Sequence, residues 1–200
     1  MLGVSCKPLI LASSSKIRKR ILEEVGLSFE VVKPLYDEDN EKKKLIKMSP
    51  EKLAIFLAKE KALSVSRKFL NAYIIGSDQV CEFQKKEIPK SKNAKEALSQ
   101  LNRFNGKTHF QNNAVVVAFN GKIIFENFVR VEMKMRKMLL QEIKKYIKLD
   151  RPWGCAGSYK YESFGKHLFE RISGDYFAIL GLAIQPLISF FYRERIITIN

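Results

Sequence analysis

Three serines stand in a row in "LASSSKIRKR", Ser13, Ser14 and Ser15, where a short apolar run gives way to a helical pattern. Free amides at a helix N-terminus and the positive end of its dipole favour an anion, and Arg18 and Lys19 add charge within the first turn; the loop can hold a phosphate or simply cap a helix. Lys61 lies eight residues after Leu53 and four after Leu57. That spacing carries it close to their apolar stripe, facing inward or toward a cleft, unless its stem covers the core while the ammonium reaches water. Asp78 occurs in "IIGSDQVC", where β-branched residues and a glycine read as a strand reaching a bend or a close approach. Its carboxylate is therefore a turn-former or a reactive group. Asp37, Glu38, Asp39 and Glu162 are further acids, and magnesium takes oxygen ligands, bridging one or two carboxylates to phosphates. Spacing alone does not bring residues 38, 78 and 162 together.

Missing patterns narrow the chemistry. The chain has no HExxH, no GxSxG elbow, no GxxxxGK[ST] loop and no GxGxxG turn, and with only His109 and His167 neither a histidine triad nor a histidine metal site is expected. Cys6, Cys81 and Cys155 are odd in number and far apart, which fits reduced structural thiols better than a disulfide framework or a zinc site.

Positioning these residues falls to alternating helices and strands. "PLILA" reads as a strand; Ser14 or Ser15 caps a helix whose face is Ile17, Ile21, Leu22 and Val25, and Gly26 ends it. Ser49 and Pro50 open a second helix through "EKLAIFLAKEKALSVSRKF", leading into a strand over 73–76. A third helix, "KNAKEALSQLNRF", precedes two strands joined at Asn120-Gly121, a strong two-residue hairpin signal. A helix over about 137–148, a glycine-rich stretch "DRPWGCAGSYKYESFG", a strand pair in "HLFERISGDYFAILGL" and a helix near "IQPLISFFYRER" complete the chain. Hairpins inserted among helices predict an α/β fold with a mixed, partly antiparallel sheet flanked by helices, two-lobed with a central cleft.

Two hundred residues, 46% of them apolar, suffice for one domain over 1–200. No apolar run approaches the roughly 20 residues of a membrane span, and the N-terminal apolar stretch is short for a signal peptide, so a cytoplasmic protein without a membrane partner is expected. Lys and Arg outnumber Asp and Glu by 36 to 21, for a net charge of +15, a field that attracts phosphate-rich partners. The lysines are scattered and no aromatic-interleaved recognition motif appears, so a dedicated nucleic-acid module is not the leading expectation.

The ordered blocks of the chain resemble a known family, the Maf-like nucleoside triphosphate pyrophosphatases. "LILASSSKIRKRILEEVGLSFEVVKP" is similar to that family's "LxLASxSPRRxxLLxxxGxxFxVxxP" opening, and "LAKEKA", "IIGSDQV", "FNGKTH" and "CAGSYKYESFG…FERISGDYFAILGL" follow in order, from Pro8 to Phe191. The resemblance implies the Maf/ITPase-like fold, a divalent metal cofactor, magnesium or manganese, and a homodimer. It implies attack of water at the α-phosphorus of a nucleoside triphosphate. "GSDQV" and "CAGSYKYESFG" look like the branch that hydrolyses 7-methyl-GTP to 7-methyl-GMP and pyrophosphate, removing modified nucleotides.

Residue by residue, the resemblance makes Asp78 the proton acceptor, Ser13, Arg18 and Lys61 phosphate-handling groups, Glu38 and Asp78 metal-handling groups, and Ile17, Gln79 and Glu162 the positions that sort substrates. Two motifs depart from the pattern: "SKIR" replaces "SPRR", putting Lys16 and Ile17 where proline and an aromatic or arginine are usual, and "EIPKSK" replaces a "GKP" motif, with Lys90 as its candidate lysine. Alternative readings are a pyrophosphatase for dTTP, UTP or another modified nucleotide, and, from a different class, a basic nucleic-acid-binding or cell-division regulatory module without turnover.

Overall fold

The computed structural model describes residues 2–4, 7–36 and 48–199. Glu38, with Asp37, Asp39 and Cys6, lies outside the described residues. The described elements run β1 (Leu2–Val4), β2 (Leu9–Ala12), α1 (Lys16–Glu24), β3 (Glu30–Val32), α2 (Pro50–Ser66), β4 (Tyr73–Phe83), β5 (Lys86–Ile88), α3 (Ala94–Phe104), β6 (Thr108–Phe119), β7 (Lys122–Met135), α4 (Leu140–Asp150), a 3-10 turn (Phe164–Leu168), β8 (Phe169–Ser173), α5 (Tyr176–Leu180), α6 (Ile184–Arg193) and β9 (Ile197–Ile199). None of these helices is long and apolar enough to cross a membrane.

A seven-stranded sheet in the order β3-β2-β4-β6-β7-β8, with β5 on β4, runs through the molecule, and β1 pairs separately with β9. β2 is parallel to β3 and β4, whereas β4 pairs antiparallel with β5 and β6, and β7 with β6 and β8. The sheet is thus mixed and partly antiparallel, as its inserted hairpins require. Alternation along the long strands gives it two apolar faces. Ile74, Ala114, Val116 and Ala118 pack against Leu53, Leu57 and Ala58 of α2. Ile75, Val115 and Val117 join the larger cluster formed with Ile21 and Leu22 of α1, Leu101 and Phe104 of α3, and Leu187 of α6.

Local signals account for most boundaries. The hydroxyls of Ser15 and Ser49 accept from Arg18 N and Lys52 N at the starts of α1 and α2, and Asn93 accepts from Glu96 N at the start of α3, each satisfying an amide the helix leaves open. Asn120 and Gly121 take φ of 49° and 73°, the left-handed pair that a tight hairpin requires.

One open alternative is decided and two expectations are corrected. Gly76 does not bend the chain: β4 continues straight through Asp78 to Phe83. What Gly76 allows is contact, because a Cβ there would lie 2.4 Å from Ala58 O and 2.7 Å from Ala62 Cβ, so the bare glycine lets α2 settle against the strand. α2 ends at Ser66, and α4 starts only at Leu140. Finally, "HLFERISGDYFAILGL" contains one strand, β8, and not a pair. Asp175 caps α5 through Ala178 N at 2.5 Å, and Gly181, at φ 105°, ends it, so cap and stop override the aromatic, strand-like composition of the segment.

Candidate active site

β4 is the axis of the site. On one edge β2 pairs with residues 73–75 and β5 with residues 81–83, so among the described residues no strand covers that edge from Gly76 to Val80. A cavity of about 650 Å³ opens there, beyond the carboxyl ends of the parallel strands β2 and β3. Such crevices are where α/β sheets place their ligands. The chain leaving β2 contributes Ser13, Ser14 and Ser15 with Ile17 and Arg18 from α1, and the chain leaving β3 contributes Lys33, Pro34 and Tyr36. Lys61, Asp78, Gln79, Lys90, Cys155, Tyr159, Tyr161, Glu162, Ile179 and Leu180 complete most of the wall.

Every candidate site residue within the described part of the chain therefore lines one cavity: Ser13, Ile17, Arg18, Lys61, Asp78, Gln79 and Glu162, with Lys90 beside them. Glu38 alone falls outside the described residues.

Asp78 and Lys61 face each other from β4 and α2, with Lys61 Nζ donating to Asp78 Oδ1 at 2.5 Å. Their side chains are 8% and 11% exposed, enough shielding to strengthen the attraction relative to an open surface pair. Gly76 makes the pair possible, since the closeness of Ala58 and Ala62 to the strand sets Lys61 at reach of a carboxylate two residues along.

The serine loop and Arg18 are held from behind. Ser13 Oγ accepts from Ser15 N at 3.1 Å, and Ser13 is nearly buried. Arg18 Nε donates to Gly181 O at 2.7 Å, and Ser77 Oγ lies 2.9 Å from that same carbonyl. The carbonyl that closes α5 thus steadies both the helix-borne guanidinium and β4. Gln79 Nε2 donates to Ala178 O and Ile179 O at 3.1 and 2.8 Å, which engages both amide hydrogens and leaves Oε1, an acceptor, as its group for a ligand.

Glu162 sits in a turn closed on Lys160 O by Ser163 N at 3.1 Å and Gly165 N at 3.0 Å. A Cβ at residue 165 would meet Lys160 O at 2.3 Å, so the turn requires its glycine. Ser163 Oγ donates to Asp150 Oδ1 at 2.7 Å, tying the turn to the end of α4. Burial pushes the Cys155 thiol's pKa up, and the nearby Glu162 carboxylate pushes it further. Cys155 therefore stays protonated and contributes bulk, not a thiolate.

Several wall residues had no readable signal in the sequence. Lys33 and Tyr36 follow a three-residue strand, and the buried Asn113 supports the wall from behind, within β6: its Nδ2 donates to Asp78 O at 3.0 Å and its Oδ1 accepts from Ala183 N at 2.8 Å. Tyr159 is set by Gln111 Nε2, which donates to its hydroxyl at 2.6 Å and to Ala156 O at 3.1 Å. The hydroxyl also shares a hydrogen bond of 2.9 Å with His109 Nε2. Burial lowers the His109 pKa to about 3, so the ring is neutral in the fold. Below about pH 6.5 the unfolded chain takes up a proton that the folded chain refuses, so this contribution is complete above 6.5 and lost as pH falls toward 3, at about 1.4 kcal/mol per pH unit. Urea unfolding at stepped pH should show this slope, and a His109→Gln protein should show a shallower one; equal slopes would dismiss the assignment.

A crevice at the carboxyl ends of parallel strands, edged by helix-start amides and several cations beside a lysine-held carboxylate, defines an α/β protein shaped to receive a polyphosphate. The chain belongs to the Maf-like protein family, whose model matches residues 8–194. It is 38% identical over 194 residues, 96% of each chain, to a nucleoside triphosphate pyrophosphatase of Bradyrhizobium diazoefficiens. To one of Rhodopseudomonas palustris it is 33% identical over 193 residues, again 96% of each chain. Among solved structures, the Ham1 protein of Staphylococcus aureus aligns with 94% of this chain and 100% of its own at a TM-score of 0.45 and 13% identity.

Proposed function

We propose that this Maf-like chain is a nucleoside triphosphate pyrophosphatase acting on 7-methyl-GTP, with water attacking the α-phosphorus to release 7-methyl-GMP and pyrophosphate. The observation that carries the reading is the Lys61–Asp78 pair facing the serine loop and Arg18 across one cavity. A general base thereby stands beside groups able to hold a triphosphate. The names of the curated relatives support the reaction class.

Asp78 is the residue that accepts the proton of the attacking water, and Lys61 keeps that carboxylate oriented toward the cavity. Ser13, Arg18, Lys33 and Lys90 hold the phosphates by charge-assisted hydrogen bonds, with Arg18 aimed by Gly181 O. The donor set fits a magnesium or manganese ion brought in with the triphosphate, since the cavity's described carboxylates, Asp78 and Glu162, offer the hard oxygen donors such an ion takes. Asp78, with Glu38, would hold it, and the ion would offset charge on the phosphoryl oxygens.

Substrate choice follows from the remaining residues that line the cavity. Ile17, Ile179 and Leu180 offer apolar surface to a ring, Gln79 Oε1 offers an acceptor, and Glu162 offers a negative charge. N7-methylation makes guanine cationic, so a carboxylate favours it over the neutral ring of GTP, while the guanine N–H edge matches acceptors.

Pyrophosphate release measured over a panel of 7-methyl-GTP, GTP, dTTP and UTP with magnesium tests both layers. 7-Methyl-GTP should be the fastest, and Glu162→Gln should reduce its kcat/KM advantage over GTP by about tenfold, the equivalent of about 1.4 kcal/mol. Faster release from dTTP or UTP overturns the substrate while leaving the reaction class; release from no nucleotide overturns the class.

A further inference from the structure

Away from the active-site cavity, α3 and α4 leave a groove of about 630 Å³ between them, lined by Ala94, Lys95, Leu98, Lys144, Ile147, Lys148, Arg151 and Trp153. Four of these eight residues are cations and none is acidic. None of the four has an ion-pair partner among the described residues, although the chain forms such pairs elsewhere, Lys19 with Glu23 and Lys59 with Glu126 among them. Helix dipoles do not explain the gathering. Lys148 and Arg151 sit at the carboxyl end of α4, where a cation is favoured, but Lys95 is in the first turn of α3, where it is disfavoured.

Trp153, the only tryptophan of the chain, is 39% exposed at the groove. Its position is built. Arg151 takes a left-handed φ of 44° as the cap of α4, and Gly154 N donates to Ser91 O at 2.8 Å, which holds the tryptophan-bearing turn beside the start of α3. A half-exposed indole in the same groove as the apolar Ala94, Leu98 and Ile147, with cations from both helices, matches a ligand that alternates flat rings with phosphates.

We infer that this groove binds single-stranded nucleic acid, its lysines and Arg151 taking backbone phosphates and Trp153 stacking on a base. The cations come from both helices, so neighbouring phosphates of one strand meet charge on each side. Affinity is salt-dependent and indifferent to sequence, since no side chain here is arranged to read a base edge. This inference goes beyond the proposed hydrolysis and uses none of its residues.

The test uses the full chain and a fluorescently labelled 12-nucleotide single strand, reading anisotropy and Trp153 emission together. Binding should quench Trp153 and weaken with salt along a log–log slope of about −3, as expected for four phosphates at roughly 0.7 each. Lys144→Glu/Lys148→Glu should raise Kd at least about tenfold, while pyrophosphate release from nucleoside triphosphates stays at the parent rate. Lys144→Gln/Lys148→Gln should give a smaller loss in the same direction. A saturating non-hydrolysable nucleotide analogue should not displace the strand. Absence of binding, binding without quenching, binding indifferent to the lysine substitutions, or displacement by the analogue would each overturn the inference; displacement would place the strand in the active-site cavity.

Discussion

Asp78→Asn should lower pyrophosphate release by about a thousandfold, equivalent to about 4 kcal/mol of barrier, with KM little changed. The amide is nearly the same size and can still accept a hydrogen bond from Lys61, but it cannot take a proton from water. The substitution also removes the Asp78 charge from beside the Lys61 ammonium at a site only 11% exposed, which should cost about 1–3 kcal/mol of stability. The two effects separate by measurement. Initial rates at saturating nucleotide report the first, and urea unfolding of the same protein reports the second. A folded Asp78→Asn protein with a rate within about threefold of the parent would end the assignment of Asp78 as base.

Gly76→Ala should act from further away and almost as strongly. The added methyl meets a backbone carbonyl and a helix-borne methyl at 2.4 and 2.7 Å, and neither lies at the end of a flexible side chain that can swing aside. α2 must back away from β4. Overpacking of this kind should cost about 3 kcal/mol, or roughly 6–12 °C in Tm for a chain of this size. Lys61 travels with the helix, so the Lys61–Asp78 pair should lengthen and the rate should fall at least about tenfold even well below the melting range. Scanning calorimetry and initial rates check it; an unchanged Tm would show that α2 does not rely on the missing Cβ.

What could be read in the chain beforehand follows the range of the interaction involved. Ser15, Ser49 and the Asn120-Gly121 turn act within three or four residues, so their roles show in the local string. Lys61 was legible because a helix has a fixed period, which sets the direction of a side chain without knowledge of its partner. Gly76 was readable as special but not as to why, since bend and close approach share one signature and only the helix from residues 50–66 distinguishes them. The segment after Gly174 misled because aromatic and branched residues favour strands, whereas Asp175 and Gly181 bracket a single helical turn with cap and stop. Asn113 acts through strand pairing, and nothing in its immediate neighbours marks it; Tyr159 and Lys33 lie within blocks the family resemblance covers, but only the folded loops show that they line the cavity. The resemblance to the Maf-like family supplied the roles that spacing alone left open, and the structure supplies the partners that hold those residues in place.

The stretch of β4 left uncovered along one edge by the described strands sends neighbouring side chains to different supports. Consecutive strand residues point to opposite faces, so Asp78 turns to α2 and Lys61 while Gln79 turns to the carbonyls of α5. On the proposed assignment, neighbouring residues of one strand serve bond breaking and base selection in one cavity, each held by a different helix. On that assignment, the residue at 79 or the turn bearing Glu162 can be exchanged, altering the nucleotide accepted, while the Lys61–Asp78 pair is held separately by α2 and β4.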